Sequence, residues 1–461
     1  MLNPDRLFPS DPTERAIARR LYEGVRDLPL ICPHGHTDPA WFATNAAFEN
    51  PTELLILPDH YVRRMLVSQG FQVLDMVDAD GKPENRAIWQ VFAENYHLFQ
   101  GTPTRLWLDQ TFSDLFGLTE RLSKNTADMY YERISDCLSQ DAFRPRAIAE
   151  RFNIEVITTT EGPLDPLDHH RAIAQSGWGV RVITSYRPDA VIDPDGQDFV
   201  ANLKAFAACT GEDTTTWAGY LAAHRNRRAY FRDLGATSTD HGHPTAQTLD
   251  LTDEAAAALF DTVRHGTGTL AENEMFRAQM LTEMAKMSLE DGMVMQMHVG
   301  SHRNHNTEVL TRFGTDQGFD IPSTTDFVTA LKPLLDRLGM DPRLSIILFT
   351  LDETTYGREL APLAGAYPSL KLGPAWWFFD SPAGMMRYRE FVTETAGFYN
   401  TVGFNDDTRA LPSIAARHDV ARRVDCAFLA GQVALHLLDE DEAAQIASDL
   451  TYGLAKKAYN L

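Results

Sequence analysis

Residues 28–38 read Leu28-Pro-Leu-Ile-Cys-Pro-His34-Gly-His36-Thr-Asp38, an apolar run that ends in two histidines. Side chains at positions i and i+2 of an extended chain point to the same side, so His34 and His36 can face a common point. Two neutral imidazoles at the carboxyl end of a strand can bind one divalent metal ion, and that end carries the active site of (β/α)8 barrels. Two solvated histidines in a loop are the alternative, because a short motif needs its structural context.

The rest of the chain repeats a pattern in which a short apolar run is followed by a helical stretch. Such runs are typical of parallel strands that are buried on both faces. Eight runs that alternate with helices predict an α/β fold, a closed (β/α)8 TIM-like barrel rather than an open sheet. The predicted strands are Leu28–Pro33, Ile154–Thr159, Val180–Thr184, Leu234–Thr237, Met293–Met297, Ile346–Thr350, Leu370–Gly373 and Tyr399–Phe404.

The interval between the first two predicted strands is far longer than an ordinary crossover connection. Aromatic residues at helical spacing predict an amphipathic helix over Glu84–Gln100. We therefore expect one metal-dependent barrel domain over residues 1–461, with a mostly helical insertion at 62–150 after the first strand. The aromatic side chains are expected to form the core of that insertion rather than a ligand platform; they are Trp89, Phe92, Tyr96 and Phe99.

Composition limits the partners and the compartment. The 461 residues include 42 Lys and Arg against 64 Asp and Glu, which gives a net charge of −22. Nucleic acid and anionic membranes both require a basic face, so we expect neither as a partner. The 4 cysteines are scattered and suit a reducing compartment. The N-terminus has early charge and prolines in place of an apolar signal region, and no window predicts a membrane span. We expect a cytoplasmic protein.

Several longer motifs occur in one order along the chain, and together they are more specific than any one of them. Through these motifs the chain resembles the uronate isomerases (glucuronate isomerases), a branch of the amidohydrolase superfamily, over essentially its whole length. The motifs are Asp59-His60-Tyr61, Gln296-Met-His298-Val-Gly300-Ser-His-Arg303-Asn304, Leu372-Gly-Pro-Ala-Trp376-Trp377, Asp407-Thr-Arg409 and Arg417-His418-Asp419.

The resemblance implies an aldose-ketose isomerase that interconverts D-glucuronate with D-fructuronate and D-galacturonate with D-tagaturonate. It also implies that His34, His36 and Asp407 hold one divalent metal ion. A mixed set of imidazole and carboxylate ligands favours zinc. Arg187 matches a position that the family associates with substrate. The further expected substrate-binding residues are Arg409, Trp376, His298 and Arg303.

An aldose-ketose isomerase makes three demands on its active site. Moving a carbonyl from C1 to C2 of an open-chain sugar through an enediol takes a base near the C2 proton, an electrophile, and groups that hold the chain. The metal ion is expected to supply the electrophile. Asp407 is the leading base, and His60 or Tyr61 is expected to handle the hydroxyl protons. Arginine suits the sugar carboxylate, because its planar fork binds carboxylates through two hydrogen bonds.

One loop departs from the family pattern. Paired aspartates tend to follow the threonines of the second strand, whereas this chain has Thr158-Thr-Thr160-Glu161-Gly162-Pro163. Glu161 either replaces one carboxylate or the contact is absent. Instead of binding substrate, His298 could have a purely structural role as a buried histidine that is bonded to the backbone. His241 and His243 form a second His-x-His pair, for which we favour a loop or substrate role.

Two other classes of protein stay open at this point. A one-metal hydrolase of the same superfamily would use His34, His36 and Asp407 equally well. A two-metal hydrolase is disfavoured, since many use a carbamylated lysine on the fourth strand and the predicted fourth strand has none. A catalytically silent sugar-binding protein could lose Asp407 or His60, yet both are present. We expect a small-molecule uronate as partner and a homo-oligomer.

Overall fold

A computed structural model of the protein describes residues 2–461. Its strands are β1 (Leu30–Cys32), β2 (Ile154–Glu161), β3 (Arg181–Tyr186), β4 (Ser238–His241), β5 (Val294–His298), β6 (Ser301–His302), β7 (Ile321–Pro322), β8 (Ile346–Phe349) and β9 (Leu370–Leu372). Seven of them form a curled parallel sheet in the order β1-β2-β3-β4-β5-β8-β9, and β6 pairs with β7 separately. The predicted α/β class and barrel-type architecture are confirmed.

Helices surround this sheet and account for most of the remaining chain. The α-helices are α1 (Pro12–Val25), α2 (Pro39–Thr44), α3 (Pro51–Leu55), α4 (His60–Ser68), α5 (Asn85–Glu94), α6 (Pro103–Asp114), α7 (Ala127–Leu138), α8 (Pro145–Arg151), α9 (Asp168–Gln175), α10 (Asp189–Ile192), α11 (Phe199–Thr210), α12 (Trp217–Asp233), α13 (Asp253–Val263), α14 (Leu270–Asp291), α15 (Thr307–Phe313), α16 (Phe327–Ala330), α17 (Lys332–Leu338), α18 (Ala361–Ala366), α19 (Pro382–Ala396), α20 (Ile414–Ala434), α21 (Glu440–Ser448) and α22 (Leu454–Ala458). Across residues 2–461 none of these helices combines the length and apolarity needed to cross a membrane.

Two predicted strands differ from the observed ones. The fourth lies four residues further on, at β4, because Leu234 still caps α12 and Gly235 has a φ of 95°. The eighth, Tyr399–Phe404, is not a regular strand and makes only a parallel bridge between Leu372 and Thr401. Gly403, with a φ of 79°, interrupts its extended backbone. The sheet therefore has seven strands, and an irregular eighth segment lies beside β9.

The long interval between β1 and β2 is helical and has its own apolar core. The predicted single helix over Glu84–Gln100 is divided at Asn95 into α5 and a 3-10 turn, Tyr96–Phe99. The Asn95 side chain donates to the Val91 carbonyl at 2.9 Å, and such bonds compete with the regular helix pattern. The four aromatic residues predicted there are buried in this core. The boundaries 62–150 stay a prediction.

The interior of the curled sheet contains a hydrogen-bonded polar layer beside buried apolar residues such as Val294 and Ile347. The Gln296 amide donates to the Ser238 hydroxyl at 3.2 Å, and Ser238 donates to Ser185 at 3.1 Å. The Tyr459 hydroxyl, from the C-terminal end of the chain, donates to Gln296 at 3.1 Å. Because these hydrogen bonds pair Ser185, Ser238, Gln296 and Tyr459 with one another, their burial beneath the strand ends is largely compensated.

Candidate metal centre and active site

The carboxylate of Asp407 lies next to the imidazoles of His34 and His36 at the carboxyl end of the sheet. Asp407 Oδ1 is 3.5 Å from His34 Nε2 and 3.3 Å from His36 Nε2. The histidines follow β1, whereas Asp407 follows the irregular eighth segment. The segments that follow β1 and the irregular eighth segment are joined here, since the His36 amide donates to the Thr408 carbonyl at 3.1 Å. The structure thus brings the three predicted ligands together.

The donor atoms of this cluster suit a divalent cation. Asp407 Oδ1 is buried and has no hydrogen-bond partner. Ligand atoms of His34, His36 and Asp407 all lie within 4.8 Å of one another. Burial opposes ionisation of Asp407, but the neighbouring histidines outweigh it and hold its pKa below the ordinary value. Burial lowers the pKa of His36 well below its usual range, so its imidazole is neutral. Neutral imidazoles with an ionised carboxylate are a typical set of metal ligands.

Asp240, which was not among the predicted site residues, joins two that were. Its Oδ1 is 2.6 Å from His298 Nδ1, and its Oδ2 accepts a hydrogen bond from Arg187 Nη1 at 3.0 Å. Asp240 is fully buried; burial opposes its charge, but Arg187 and His298 hold its pKa well below the usual range. The partner of His298 is therefore a carboxylate and not the backbone. The position of Asp240 on β4, among the strand ends, was the signal that could have identified it.

Aromatic rings connect His298 to the metal-ligand cluster. The His34 ring stacks on His298 with 4.3 Å between centroids, and Trp376 meets His298 edge-on at 4.6 Å. The Trp376 indole N–H donates to Asp407 Oδ2 at 2.5 Å. This bond orients the carboxylate and leaves Oδ1 directed toward the histidines, as groups around metal ligands commonly do.

His60 and Tyr61 occupy the first turn of α4. Asp59 caps this helix, and its Oδ1 accepts hydrogen bonds from the amides of Tyr61 and Val62 at 2.8 and 3.1 Å. Burial, with Arg409 and Arg63 nearby, lowers the pKa of His60 to about 3, and its Nε2 is buried without a partner. His60 is therefore a neutral imidazole with a free nitrogen at neutral pH.

The hydroxyl of Tyr61 is fully engaged. It donates to Asp380 Oδ1 at 2.7 Å and accepts from the Phe378 amide at 2.7 Å. Burial and the Asp380 charge raise the pKa of Tyr61 well above its usual range. Asp380 also accepts from Arg417 at 3.1 Å. Tyr61 consequently keeps its proton and has no free hydrogen-bonding capacity, unlike His60.

A cavity of about 760 Å³ opens above these groups and is lined by the predicted metal, catalytic and substrate residues. Arg187 lies in its wall, where Nε donates to Asp189 at 2.9 Å and Nη1 to Asp240 at 3.0 Å. Gly242 makes room for this arginine, since a Cβ there would lie 1.9 Å from Arg187 Nη2. Arg187 is thus fixed in place, and its side chain stays 24 % exposed.

The two other predicted arginines lie nearer to the cavity mouth. Arg409 pairs with Asp316 at 2.9 Å, and Arg303 pairs with Asp320 at 2.8 Å. The side chains of Arg409 and Arg303 are both more than a third exposed, at 35 % and 39 %. Their partners lie on the segment between β6 and β7, so this segment forms one side of the entrance.

Glu161 and the second His-x-His pair lie outside the cavity lining. Thr160 faces the cavity, and neighbouring side chains on a strand alternate, so Glu161 points away from it. Glu161 accepts hydrogen bonds from Thr159 and Thr184, and burial raises its pKa to about 7. Glu161 therefore contributes no carboxylate to this cavity.

Comparison with known proteins places nearly the whole chain in a single protein family. The glucuronate isomerase family profile matches residues 12–459. The uronate isomerase of Rhizobium meliloti is 62 % identical over 466 residues, which cover 100 % of this chain and 99 % of that protein. The crystal structure of glucuronate isomerase from Caulobacter crescentus has 61 % identity and a TM-score of 0.98, covering 100 % of this chain and 97 % of that one. A Thermotoga maritima uronate isomerase structure has 26 % identity and a TM-score of 0.93, covering 100 % and 99 %.

Proposed function

This chain belongs to the glucuronate isomerase family, and we propose that it is an aldose-ketose isomerase that interconverts D-glucuronate with D-fructuronate and D-galacturonate with D-tagaturonate through an enediol. The observation that carries the proposal is the cluster of His34, His36 and Asp407 beside a cavity that is also lined by Arg187 and His60. It combines a cation site, an arginine for an acid sugar and a neutral imidazole.

The proposed cofactor is one divalent ion, with zinc favoured by the ligand types. Held by His34, His36 and Asp407, it would polarise the sugar oxygens and stabilise the charge that develops on them. The buried, unpartnered Oδ1 of Asp407 supports this fit, since an uncompensated buried carboxylate oxygen is costly without a cation or donor.

Proton transfer is assigned to two side chains. We propose that Asp407 accepts the C2 proton, because its lowered pKa keeps it ionised throughout the working range. A low pKa makes it a weak base, so close positioning has to supply much of its effectiveness. His60 is assigned to the hydroxyl protons, because its neutral ring can both accept and donate. Tyr61 is a weaker candidate for the same role, as its hydroxyl is engaged with Asp380.

Substrate binding is assigned to the wall of the cavity. Arg187 is proposed to bind the sugar carboxylate, since Asp189 and Asp240 hold the guanidinium in a fixed orientation. Arg409 and Arg303 are proposed to contact the substrate from the entrance. His298 is proposed to meet a sugar oxygen through Nε2, which is buried and unpartnered. Trp376 is proposed to face the sugar with its ring, because its N–H is bonded to Asp407.

The hydrolase alternative is not favoured. The relatives that match at 61–63 % identity across the full chain are uronate isomerases. The observed β4, Ser238–His241, contains no lysine that could be carbamylated to bridge two metals.

We propose further that the chain acts in the cytoplasm and assembles with copies of itself. Free cysteines suit a reducing compartment, and exposed leucines such as Leu435 and Leu437, at 67 % and 64 % exposure, suit burial in an oligomer. Light scattering of the purified protein measures the assembly, and a mass equal to one chain would exclude it.

The test of the reaction class is a substrate panel. Purified protein is incubated with glucuronate, galacturonate, and a set of lactones and amides, and ketose formation is followed beside hydrolysis. We expect ketose from both uronates and no hydrolysis. Hydrolysis of a lactone or amide with no ketose from either uronate would overturn the proposal.

The enediol itself is tested by running the reaction in deuterium oxide and reading the product by proton NMR. An enediol route exchanges the migrating proton with solvent, so deuterium is expected at C1 of the ketose. Complete retention of the C2 hydrogen at every stage of the reaction would remove the support for a solvent-accessible base.

A further inference from the structure

We propose that Asp189, His241 and His243 form a second binding site for a divalent cation of the imidazole-preferring kind, such as zinc, cobalt or nickel. This site shares no ligand with the cluster of His34, His36 and Asp407. It lies behind the cavity wall, at the ends of β3 and β4.

The three residues come together through the backbone between β4 and the following loop. The amide of Gly242 donates to Asp189 Oδ1 and Oδ2 at 3.3 and 3.1 Å, which brings the carboxylate to the loop that carries both histidines. His243 Nε2 is 3.9 Å from Asp189 Oδ1, and the two imidazole centroids are 5.9 Å apart. One ligand atom from each residue lies within 4.8 Å of the others.

Unpartnered buried nitrogens point to a missing ligand. His243 is only 4 % exposed, and neither of its ring nitrogens has a hydrogen-bond partner. His241 is fully buried and its Nδ1 is also unpartnered. Buried polar atoms nearly always have partners, so three unpaired nitrogens at one place require an explanation. A cation would satisfy two of the three at once, one nitrogen of each ring.

The remaining nitrogen of His241 is placed as in many metal sites. Its Nε2 is 3.0 Å from the Thr239 hydroxyl. When this nitrogen carries the hydrogen, Nδ1 has a free lone pair, and a partner on the opposite ring nitrogen commonly fixes the tautomer of a metal-binding histidine. A tetrahedral ion with bonds of about 2.0–2.1 Å needs ligand atoms about 3.3 Å apart, so the group has to contract on binding.

The surrounding charges favour a cation. Asp193 and Asp195 lie near the site, and both pair with Arg277 at 2.6 Å. Glu274 pairs with the same arginine at 2.7 Å. With Asp189 and Asp240 beside Arg187, five carboxylates face two guanidinium groups in this region. The excess negative charge stabilises a bound divalent ion.

Asp189 connects this site to the cavity. Its Oδ2 accepts from Arg187 Nε at 2.9 Å, whereas Oδ1 faces His243. The Asp189 side chain is 26 % exposed and lines the cavity, so an ion can enter past it. A cation on Oδ1 would hold the carboxylate that orients Arg187.

The test is a count of bound cobalt. The full chain is stripped with a chelator, loaded with Co²⁺ and passed through gel filtration, and bound cobalt is measured by elemental analysis beside the visible absorption. Two equivalents are expected for the unchanged protein. The His34→Ala, His36→Ala double variant is expected to keep one, and His243→Gln is expected to lose one.

The matched control is His224→Asn. His224 is a fully buried histidine with an unpartnered Nε2, but its Nδ1 is bonded to the Tyr186 hydroxyl at 2.9 Å and it belongs to none of the candidate metal groups. This variant should keep both equivalents. An equivalent that persists in the double alanine variant and disappears in His243→Gln supports the second site whatever happens at the first.

Two results would overturn the proposal. In the first, the unchanged protein binds a single equivalent of cobalt and the double alanine variant binds none. This result does not depend on how His243→Gln folds. The other is a folded His243→Gln variant, by circular dichroism, that binds as much cobalt as the unchanged protein.

Discussion

Asp407 combines a costly backbone conformation with the charge that the candidate metal centre needs. Its φ of 42° is in the left-handed region, which an L-residue other than glycine adopts only where surrounding contacts require it. The Trp376 N–H and the adjacent histidines supply those contacts. Strain of this kind often occurs at functional sites, and here it aims Oδ1 at His34 and His36.

Removing both imidazoles should remove one metal ion. We expect the His34→Ala, His36→Ala double variant to contain about one equivalent less than the unchanged protein, because a single carboxylate cannot retain a divalent ion of this type. Elemental analysis of protein purified without chelators measures this loss. His265→Ala is the control, since His265 is exposed and distant in sequence from the cluster. Equal metal content in all three proteins would exclude the site.

Arg187 should determine the preference for acid sugars. We expect Arg187→Met to lower kcat/KM for uronates. The corresponding loss of transition-state stabilisation should be roughly 2 to 4 kcal/mol, the scale for removing one member of a desolvated charge pair. Part of this loss comes from leaving the buried Oδ2 of Asp240 without its guanidinium partner, while Oδ1 stays bonded to His298. Steady-state kinetics measure it.

The control for this variant is Arg264→Met, which breaks the Arg264–Asp261 pair within one helical turn and should change little. Equal turnover of glucose and glucuronate by the unchanged enzyme would contradict the role of Arg187.

At the scale of elements, α4 and the segment between β6 and β7 position His60 together. The backbone of Gly318 passes so close that a Cβ there would lie 2.8 Å from His60 Cβ. Gly318 also has a φ of 88°. Glycine is therefore required at this position for two reasons, the positive φ and the contact with His60.

Gly318→Ala should reduce activity more than its effect on stability explains. The added methyl group displaces His60, and we expect kcat/KM to fall about 10-fold or more, since small misplacements of catalytic groups are costly. Gly314→Ala is a matched control, because Gly314 has a φ of 82° but nothing within 4 Å of its Cβ position. Both variants should lower the melting temperature. Unchanged kcat/KM in Gly318→Ala would show that the contact does not position His60.

At the scale of the whole molecule, buried histidines make the fold sensitive to acid. Burial lowers the pKa of His60 to about 3 and of His170 to about 4, from ordinary values of 6.5. Between pH 6.5 and these values the unfolded chain binds protons that the folded chain does not. The free energy of unfolding therefore falls as the pH falls through this range. His170 alone contributes on the order of 3 kcal/mol, at about 1.4 kcal/mol per pKa unit.

Glu161 acts in the opposite direction. Its pKa is raised by burial to about 7 from 4.5, so its contribution to stability is present at low pH and is lost as the pH rises through about 7. Denaturant unfolding of the metal-free protein between pH 4 and 7 measures the net effect of the histidines and Glu161 on the free energy of unfolding. We expect His170→Gln to flatten the dependence and Glu161→Gln to steepen it. Stability that rises as the pH falls, in the unchanged protein, would contradict the histidine effect.

Local patterns in the sequence were sufficient for the α/β class, for most strands, and for the pair His34 and His36, whereas the family resemblance pointed to most of the other residues that line the cavity. The predicted strand Ile346–Thr350 agrees with the observed β8 to within one residue, because a strand that is buried on both faces consists of consecutive apolar residues. Where glycine changes the backbone direction, the patterns were misleading. Gly235 displaced the fourth strand and Gly403 interrupted the eighth, because a pattern of apolar residues carries no information on the backbone angle φ.

Tertiary structure alone decided how the strand ends meet. Asp240 lies between His298 and Arg187, and Asp189 lies beside His243, only because neighbouring parallel strands stand side by side in a curled sheet. The direction of Glu161 likewise depended on the register of β2. Sequence determines which side chains are candidates for the chemistry, because residue types and spacing are local properties. Their partners come from residues tens to hundreds of positions away, and such contacts exist only once the curled sheet has formed.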